Sequence, residues 1–201
     1  MQKRDIYKPE WCLSAWPRSY IMDDYIKSDL MRYYGKQDMY TFLYAYFRNR
    51  TFRFQCALRL CHVSGGVMKI IGQLLWIINR TKRTIQIPKQ TRVGYGLYIG
   101  HGGPIIVNSS AIIGNNCNLS QFTTIGSNEG RAAIIGDNTY IGPSVCIVED
   151  VKIGNNVTIG AGSVVTKDVP DNATVVGNYA KVINYDNPGR YISNRWSVDD
   201  R

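Results

Sequence analysis

Between Ile135 and Val165 an aliphatic residue returns every sixth position: Ile135, Ile141, Ile147, Ile153, Ile159 and Val165. Four residues after each stands a small or β-branched residue: Thr139, Val145, Val151, Val157, Ser163 and Val169. An α-helix would need apolar residues every three or four positions, and none recur at that step here. A fixed hexapeptide period is the signature of a parallel β-helix, in which each hexad is one short strand plus a corner and three hexads make a triangular coil. Ile135 should therefore stack under Ile153, and Ile141 under Ile159. The corners carry Asp137-Asn138 and Asn155-Asn156, residue types that tolerate the left-handed backbone of a tight bend.

The step of six starts earlier, near Ile85, with Ile87, Val93, Ile99, Val107, Ile113, Leu119 and Ile125. It slips twice, at Gly100-His101-Gly102-Gly103-Pro104 and at Ser127 to Ala132. A solenoid core accepts insertions only at corners, so both should project outward and help build a binding face. His101, one of two histidines in the chain, is thus expected on a projecting corner among glycines. Core packing explains it poorly. Imidazole titrates near neutrality, so His101 is a candidate general base for a hydroxyl attacking a carbonyl. Backbone N–H groups near Gly102 and Gly103 are candidates for receiving the oxyanion. His62, on a helical apolar stretch, reads as structural.

Upstream of the repeat the pattern is helical. Residues 1–20, with Trp11, Trp16, Pro9 and Pro17, read as an arm without regular structure. A first helix starts near Asp23, which with Asp24 can cap it, and ends at Gly35. A second is expected from about Asp38 to Leu60, then a turn at Ser64-Gly65-Gly66 and a third helix from Val67 to Ile78. The third is interrupted by Lys69 and Gln73 and falls short of the roughly twenty apolar residues a membrane span needs. Two readings stay open: packing against its own domain or a sister subunit, or lying in a membrane interface with Trp76, Arg80, Lys82 and Arg83 at headgroup level.

Charge is unevenly spread. Residues 1–92 hold 17 Lys/Arg against 6 Asp/Glu, and residues 93–201 hold 7 against 9. The basic half suits an anionic membrane surface or an acidic carrier protein. No nucleic-acid motif accompanies it, and that partner is ranked last. The five cysteines (Cys12, Cys56, Cys61, Cys117, Cys146) are odd in number and form no CxxC pair. With no signal peptide in view, a reducing cytoplasm is expected, at or near the inner face of the membrane, without disulfides or a metal site.

Several stretches resemble a known family. Gly-Leu-Tyr-Ile-Gly-His101-Gly-Gly, Ile-Val-Asn108, Ala-Ile-Ile-Gly-Asn-Asn and Ser-Gln-Phe-Thr-Thr-Ile-Gly126 are similar to the serine acetyltransferase-like hexapeptide O-acetyltransferases. The branch most resembled accompanies cell-surface polysaccharide biosynthesis. Ile159 to Pro170, ending in Val-Val-Gly177, resembles the terminal motif of hexapeptide acyltransferases, and Ser28-Asp-Leu-Met-Arg-Tyr more weakly resembles that branch's N-terminal helices. The resemblance implies a mainly β protein: a helical region over 1–84, a left-handed parallel β-helix over 85–184 and a C-terminal extension over 185–201 that packs loosely. It implies a homotrimer whose sites lie between chains, and whether trimers pair into a hexamer through the helices stays open. The activity it implies is transfer of acetyl from acetyl-CoA to a hydroxyl by direct attack.

Carried over residue by residue, the resemblance makes His101 the base and puts Asn108 and Arg131 at the substrate. Gly142 and Pro143 would line the pantetheine arm, and Gly160 and Ala161 would meet its amides. Thr166, Lys167 and Lys181 would approach the nucleotide phosphates. Gly100 stands where serine acetyltransferases carry an Asp, and Ala132 stands where they carry a second His. Neither Ile85 nor Gln86 supplies the carboxylate that orients their base. Those departures favour a sugar hydroxyl, with L-serine as the alternative acceptor. A γ-class carbonic anhydrase needs three metal-binding histidines and is excluded by a single solenoid His. A nucleotidyltransferase fusion needs a Gly-rich nucleotide domain before the repeat. An acyltransferase fed by a carrier protein, and a non-catalytic trimeric scaffold, complete the alternatives.

Overall fold

The computed structural model describes residues 24–62, 66–81 and 84–197. The arm at 1–20, the Asp23 cap, the 64–65 turn, Lys82 and Arg83 lie outside the described residues. Helices α1 (Asp24–Tyr34), α2 (Met39–Arg48), α3 (Arg50–Leu60) and α4 (Gly66–Thr81) precede the strands.

The second helix expected from the sequence is two. Asn49 is extended (φ −102°, ψ 112°), ends α2 and caps α3, its Oδ1 accepting from the Thr51 and Phe52 N–H groups. An Asn that can satisfy orphan helix donors turns a continuous apolar pattern into a corner. Asp38 caps α2 in the same way, accepting from the Thr41 N–H at 2.9 Å. Gly35 ends α1 with φ +65°, a conformation that costs a glycine little.

The strands form three parallel faces. The first holds β1 (Ile85–Gln86), β4 (Ile105–Val107), β7 (Thr124–Gly126), β10 (Cys146–Val148) and β13 (Val164–Val165). The second holds β2 (Arg92–Val93), β5 (Ile112–Ile113), β8 (Ile134–Ile135) and β11 (Lys152–Ile153). The third holds β3 (Tyr98–Ile99), β6 (Asn118–Leu119), β9 (Tyr140–Ile141), β12 (Thr158–Ile159), β14 (Thr174–Val176) and the antiparallel β15 (Lys181–Asn184). The fold class is the one expected, a parallel β-solenoid of about 5 turns matching left-handed β-helices, with helices at its N-terminal end. Ile135 pairs with Ile153 and Ile141 with Ile159, so the register follows the period.

Two features fix the stack. The aliphatic column fills a triangular interior, where Ile99, Leu119, Ile141 and Ile159 are all fully buried. At one corner a side-chain ladder runs up the prism: the Tyr95, Asn115, Asp137 and Asn155 N–H groups donate to Asn115, Asp137, Asn155 and Asp171 at 2.7–2.9 Å. The next residues, Asn116, Asn138, Asn156 and Asn172, take φ of 54° to 64°. Each short polar side chain thus supports the bend of the neighbouring coil.

The first coil has no coil beneath it, and its strand edge would be orphaned. Helices α1 and α3 supply the missing partners. The Arg59 guanidinium donates to the Val93 and Gly94 carbonyls at 2.7 Å each and grips Asp29 with two bonds of 2.9 Å. Asp29 accepts from the Leu97 N–H at 2.8 Å, Ser28 from the Gly96 N–H at 2.8 Å, and Gln55 donates to the Leu97 carbonyl at 2.6 Å.

Residues 185–197 correct an expectation in part: most are exposed, but Gly189, Ile192 and Trp196 are buried and anchor the segment. Trp196 is buried, stacked on Tyr95 with centroids 6.4 Å apart, and exchanges two hydrogen bonds with Asn116 at 2.8 and 3.0 Å. Arg32 donates to the Ser193 carbonyl at 2.8 Å and Asn118 to the Tyr191 carbonyl at 3.2 Å. Asn116 and Asn118 of the solenoid and Arg32 of α1 give this segment the backbone partners it lacks on its own.

Helix α4 is two-faced. Leu75 and Trp76 turn inward against the core, while Val67, Ile70, Leu74 and Ile77 are exposed. No helix among the described residues is long and apolar enough to cross a membrane. His62, just past α3, is half-buried, and burial, with Arg59 and Lys69 nearby, lowers its pKa to about 4. Between pH 6.5 and 4 the unfolded chain therefore binds a proton that the folded chain refuses, so this group makes stability fall as pH falls through that window. Urea midpoints at pH 7 and pH 4.5 should show a smaller acid loss for His62→Asn than for the parent chain. An equal loss in both would remove His62 from the acid response.

Candidate functional site

His101 follows directly on β3, the edge strand of the third face, and its side chain is exposed. What holds this strand comes from the helices. The Ile99 N–H donates to the Tyr33 hydroxyl at 3.0 Å, and that hydroxyl donates to Gln55 Oε1 at 2.6 Å. Burial pushes the Tyr33 phenol far above its usual range, so it stays a neutral hydrogen-bonding post. Beyond Ile99 the chain folds into a tight turn, the Gly103 N–H donating to the His101 carbonyl at 2.8 Å. A Cβ on Gly103 would come within 2.7 Å of Gln121 Cβ, so this turn sits close against the coil above.

That bond corrects the expected oxyanion donors. The Gly103 N–H is spent on His101. The Gly102 N–H has no partner among the described residues and remains as the donor beside the imidazole. The imidazole itself has no hydrogen-bond partner, and so no orienting carboxylate, among the described residues. Gln121, which the sequence reading passed over, keeps a buried Oε1 without a partner next to this turn.

The surroundings of His101 were not foreseen either. It lines an open cavity of about 640 Å³ with Gly100 and Gly102 on one side and, from the helices, Tyr34, Tyr44, Arg48, Asn49, Arg50 and Thr51. Two of the arginines that make the N-terminal half basic thus share a cavity with the candidate base.

Neither expected substrate residue joins it there. Arg131 lines a separate cavity of about 360 Å³ with Gln90, Arg92, Ser109 and Ser110. Asn108 is committed to its own corner, Oδ1 accepting from the Ser110 N–H at 2.9 Å and Nδ2 donating to the Ser127 carbonyl at 3.3 Å. The second insertion projects over 127–131, but Ala132 is buried, because Ala132 and Ala133 already belong to the column of small residues inside the prism.

The residues expected along the cofactor fall on the later coils, after β9, β12 and β13 and on β15. Gly160 and Ala161 lie directly above Gly142 and Pro143, Gly160 touches the level of Val176, and Val176 pairs with Lys181. Thr166 and Lys167 follow β13 on the neighbouring face, Lys167 exposed. Gly142 is buried, and its N–H donates to the Ile159 carbonyl at 2.9 Å. A Cβ there would lie 2.8 Å from that same oxygen, so stacking of coils alone requires this glycine. The Gly160 N–H is likewise used, on the Val175 carbonyl; Pro143 and Gly160 are half-buried and Ala161 is exposed.

Comparison with known proteins agrees with this architecture. Residues 132–167 match the bacterial transferase hexapeptide family (six repeats). Serine acetyltransferase of Synechococcus elongatus is 34% identical over 120 residues, covering 58% of this chain and 49% of that protein. Serine acetyltransferase of Staphylococcus aureus is 34% identical over 113 residues, covering 54% and 53%. The chain thus spans about half the length of these relatives. Among solved structures, Neisseria gonorrhoeae serine acetyltransferase in complex with serine superposes with a TM-score of 0.64 at 28% identity, over 81% of this chain and 69% of that one. Soybean serine acetyltransferase apoenzyme gives 0.64 at 27% identity, over 80% and 70%. Residues 132–167 thus carry the hexapeptide-repeat match, and the solenoid with its N-terminal helices is similar in fold to the solved serine acetyltransferases.

Proposed function

We propose that this chain is an acetyl-CoA-dependent O-acetyltransferase in which His101 is the general base. The observation that carries the reading is an exposed imidazole at the corner after β3, beside a Gly102 N–H with no partner among the described residues. Neutral imidazole accepts the proton of the acceptor hydroxyl as its oxygen attacks the thioester carbonyl. The Gly102 N–H stabilises the oxyanion that forms. Collapse expels the CoA thiolate, which takes the proton back from the imidazolium, and the acetyl ester leaves with the acceptor. No acetylated protein intermediate arises.

L-Serine is the acceptor that similarity to serine acetyltransferases favours. A sugar hydroxyl is the second reading, and one observation favours it: no Asp or Glu occurs from residue 39 to residue 128, so Gly100 and its neighbours offer no carboxylate to an amino acid's ammonium. Thiol release from acetyl-CoA, followed with L-serine and with a panel of sugars, tests the activity and separates the acceptors. Release with none of them would sink the reading.

Assembly is part of the proposal. A base with no orienting partner among the described residues suits a site completed by a neighbouring copy, and a homotrimer, singly or paired into a hexamer, supplies one. Light scattering at micromolar concentration is expected to give three or six times the chain mass. A monomer would overturn it.

A further inference from the structure

His101 shares one corner of the prism with Pro143 and Ala161, at the point where the third face hands over to the first. His101 follows β3 on the first coil, Gln121-Phe122 follow β6 on the second, Pro143-Ser144 follow β9 on the third and Ala161-Gly162 follow β12 on the fourth. Backbone bonds tie these bends into one column. The Phe122 N–H donates to the Pro104 carbonyl, the Ser144 N–H to the Gln121 carbonyl at 3.0 Å and the Gly162 N–H to the Pro143 carbonyl at 2.8 Å. Phe122, Ser144 and Gly162 take φ of 62°, 57° and 70° at the same place in their coils. The phase of the coil imposes that bend, but it does not call for a ring. At another corner the same backbone is carried by Asn116, Asn138, Asn156 and Asn172, and a bulky side chain is the poorest choice for it. Phe122 is also 57% exposed, so its ring does not serve the core. Its neighbour Gln121 lies hard against the His101 turn, where Gly103 has no room for a Cβ. An aromatic is thus held in a strained, exposed position one coil from the candidate base, where fold alone gives no reason for it.

We infer that Phe122 limits the size of the acyl group on the thioester, admitting acetyl and resisting longer chains. The inference rests on the function proposed above, with His101 as the base and CoA lying along Pro143 and Ala161. Neighbouring strands stand about 4.8 Å apart, so roughly 10 Å of ridge separates His101 from Pro143, with Phe122 midway. Ser144 and Gly162 are exposed and small, which leaves the ridge low enough for a thin arm to lie against the backbone. At Phe122 that freedom ends. A donor whose arm lies on the third and fourth coils must bring its thioester past this ring to reach the imidazole. Each methylene added beyond the carbonyl then competes with the ring for the same apolar space, where one methylene changes discrimination by about 10–200-fold.

Titration calorimetry on the full chain with CoA, acetyl-CoA and butyryl-CoA reads this limit without an acceptor. The parent is expected to bind butyryl-CoA about tenfold or more weakly than acetyl-CoA. Phe122→Asn and Phe122→Gly, both suited to positive φ, should bring the two thioesters within about threefold of each other. Tyr191→Asn is the control. Tyr191 is an equally exposed aromatic at φ 69°, set against Tyr140 with centroids 4.9 Å apart, and its loss should leave the parent's preference in place. A parent that binds both thioesters alike overturns the inference, as does a preference that survives in both Phe122 variants. Loss of all three ligands in both variants overturns it too, since Phe122 would then seat the cofactor and not measure the acyl group. Thiol release separates the inference from the function it rests on. A preference that depends on Phe122, with no transfer to any acceptor, sinks the transferase and leaves the size limit on thioester binding. Transfer by the parent from acetyl-CoA and butyryl-CoA at equal rates does the reverse.

Discussion

His101→Ala is expected to lower kcat by about 10²–10⁴-fold, the usual cost of removing a general base. Expressed as a barrier, that is roughly 2.7–5.4 kcal/mol at about 1.36 kcal/mol per decade. The loss should fall on kcat rather than on acetyl-CoA affinity, because the residues proposed along the cofactor, from Pro143 and Ala161 to Lys181, lie on the third and later coils and not on the first. Folding should be untouched, since the side chain is exposed and makes no hydrogen bond among the described residues. His62→Ala is the control, because that ring lies past α3, away from the cavity residues, and should leave turnover within a few-fold. Steady-state rates and a binding measurement with CoA on the same preparations decide the matter. Normal turnover by His101→Ala, or ping-pong kinetics with an acetylated protein, would refute direct transfer.

How much of this was legible in the sequence depends on how far apart the partners are. The stacking of Ile135 on Ile153 follows from a period of six, because the two residues are neighbours one coil apart and every hexad repeats the same solution. The Asn corners follow for the same reason. Yet Phe122, Ser144 and Glu149 also take positive φ, at 62°, 57° and 61°. There the phase of the coil dictates the bend, and residue type signals nothing. His101 was visible because it interrupts the period. Arg48 and Arg50 were not, since what brings them to His101 is the break at Asn49 and the docking of helices some fifty residues upstream. The C-terminal segment misled for a like reason: its partners Asn116 and Asn118 lie about 75 residues earlier, and no local pattern marks them. Tyr33 too reads as one more aromatic on a helical face until its hydroxyl is seen on the Ile99 backbone.

The helical cap is also where the largest effect on stability is expected. Arg59 and Asp29 are 2% and 1% exposed, joined at 2.9 Å. Burial pushes the Asp29 carboxyl up while the guanidinium beside it pulls it back. Removing one member of such a pair strands the other charge, at a cost of about 3–5 kcal/mol, so Arg59→Met and Asp29→Ala should each lose that much in urea unfolding. For a domain of this size, that corresponds to a fall in Tm of roughly 6–20 °C. Buried ion pairs can often be replaced by apolar residues at little cost, because the two desolvation penalties vanish together. Here they should not be. The same atoms serve the first coil: Arg59 satisfies the Val93 and Gly94 carbonyls, and Asp29 satisfies the Leu97 N–H. Asp29→Leu with Arg59→Met would leave all three backbone groups buried and unpaired, each at about 1–3 kcal/mol. The double variant should therefore remain as unstable as either single one, and Asp29→Asn, which keeps an acceptor for Leu97, should be the mildest of the set. A double variant that regained the parent's stability would mean that the pair is dispensable as a cap. In that case the first coil, and with it the strand leading to His101, would be held by the remaining bonds from Ser28, Arg32, Tyr33 and Gln55.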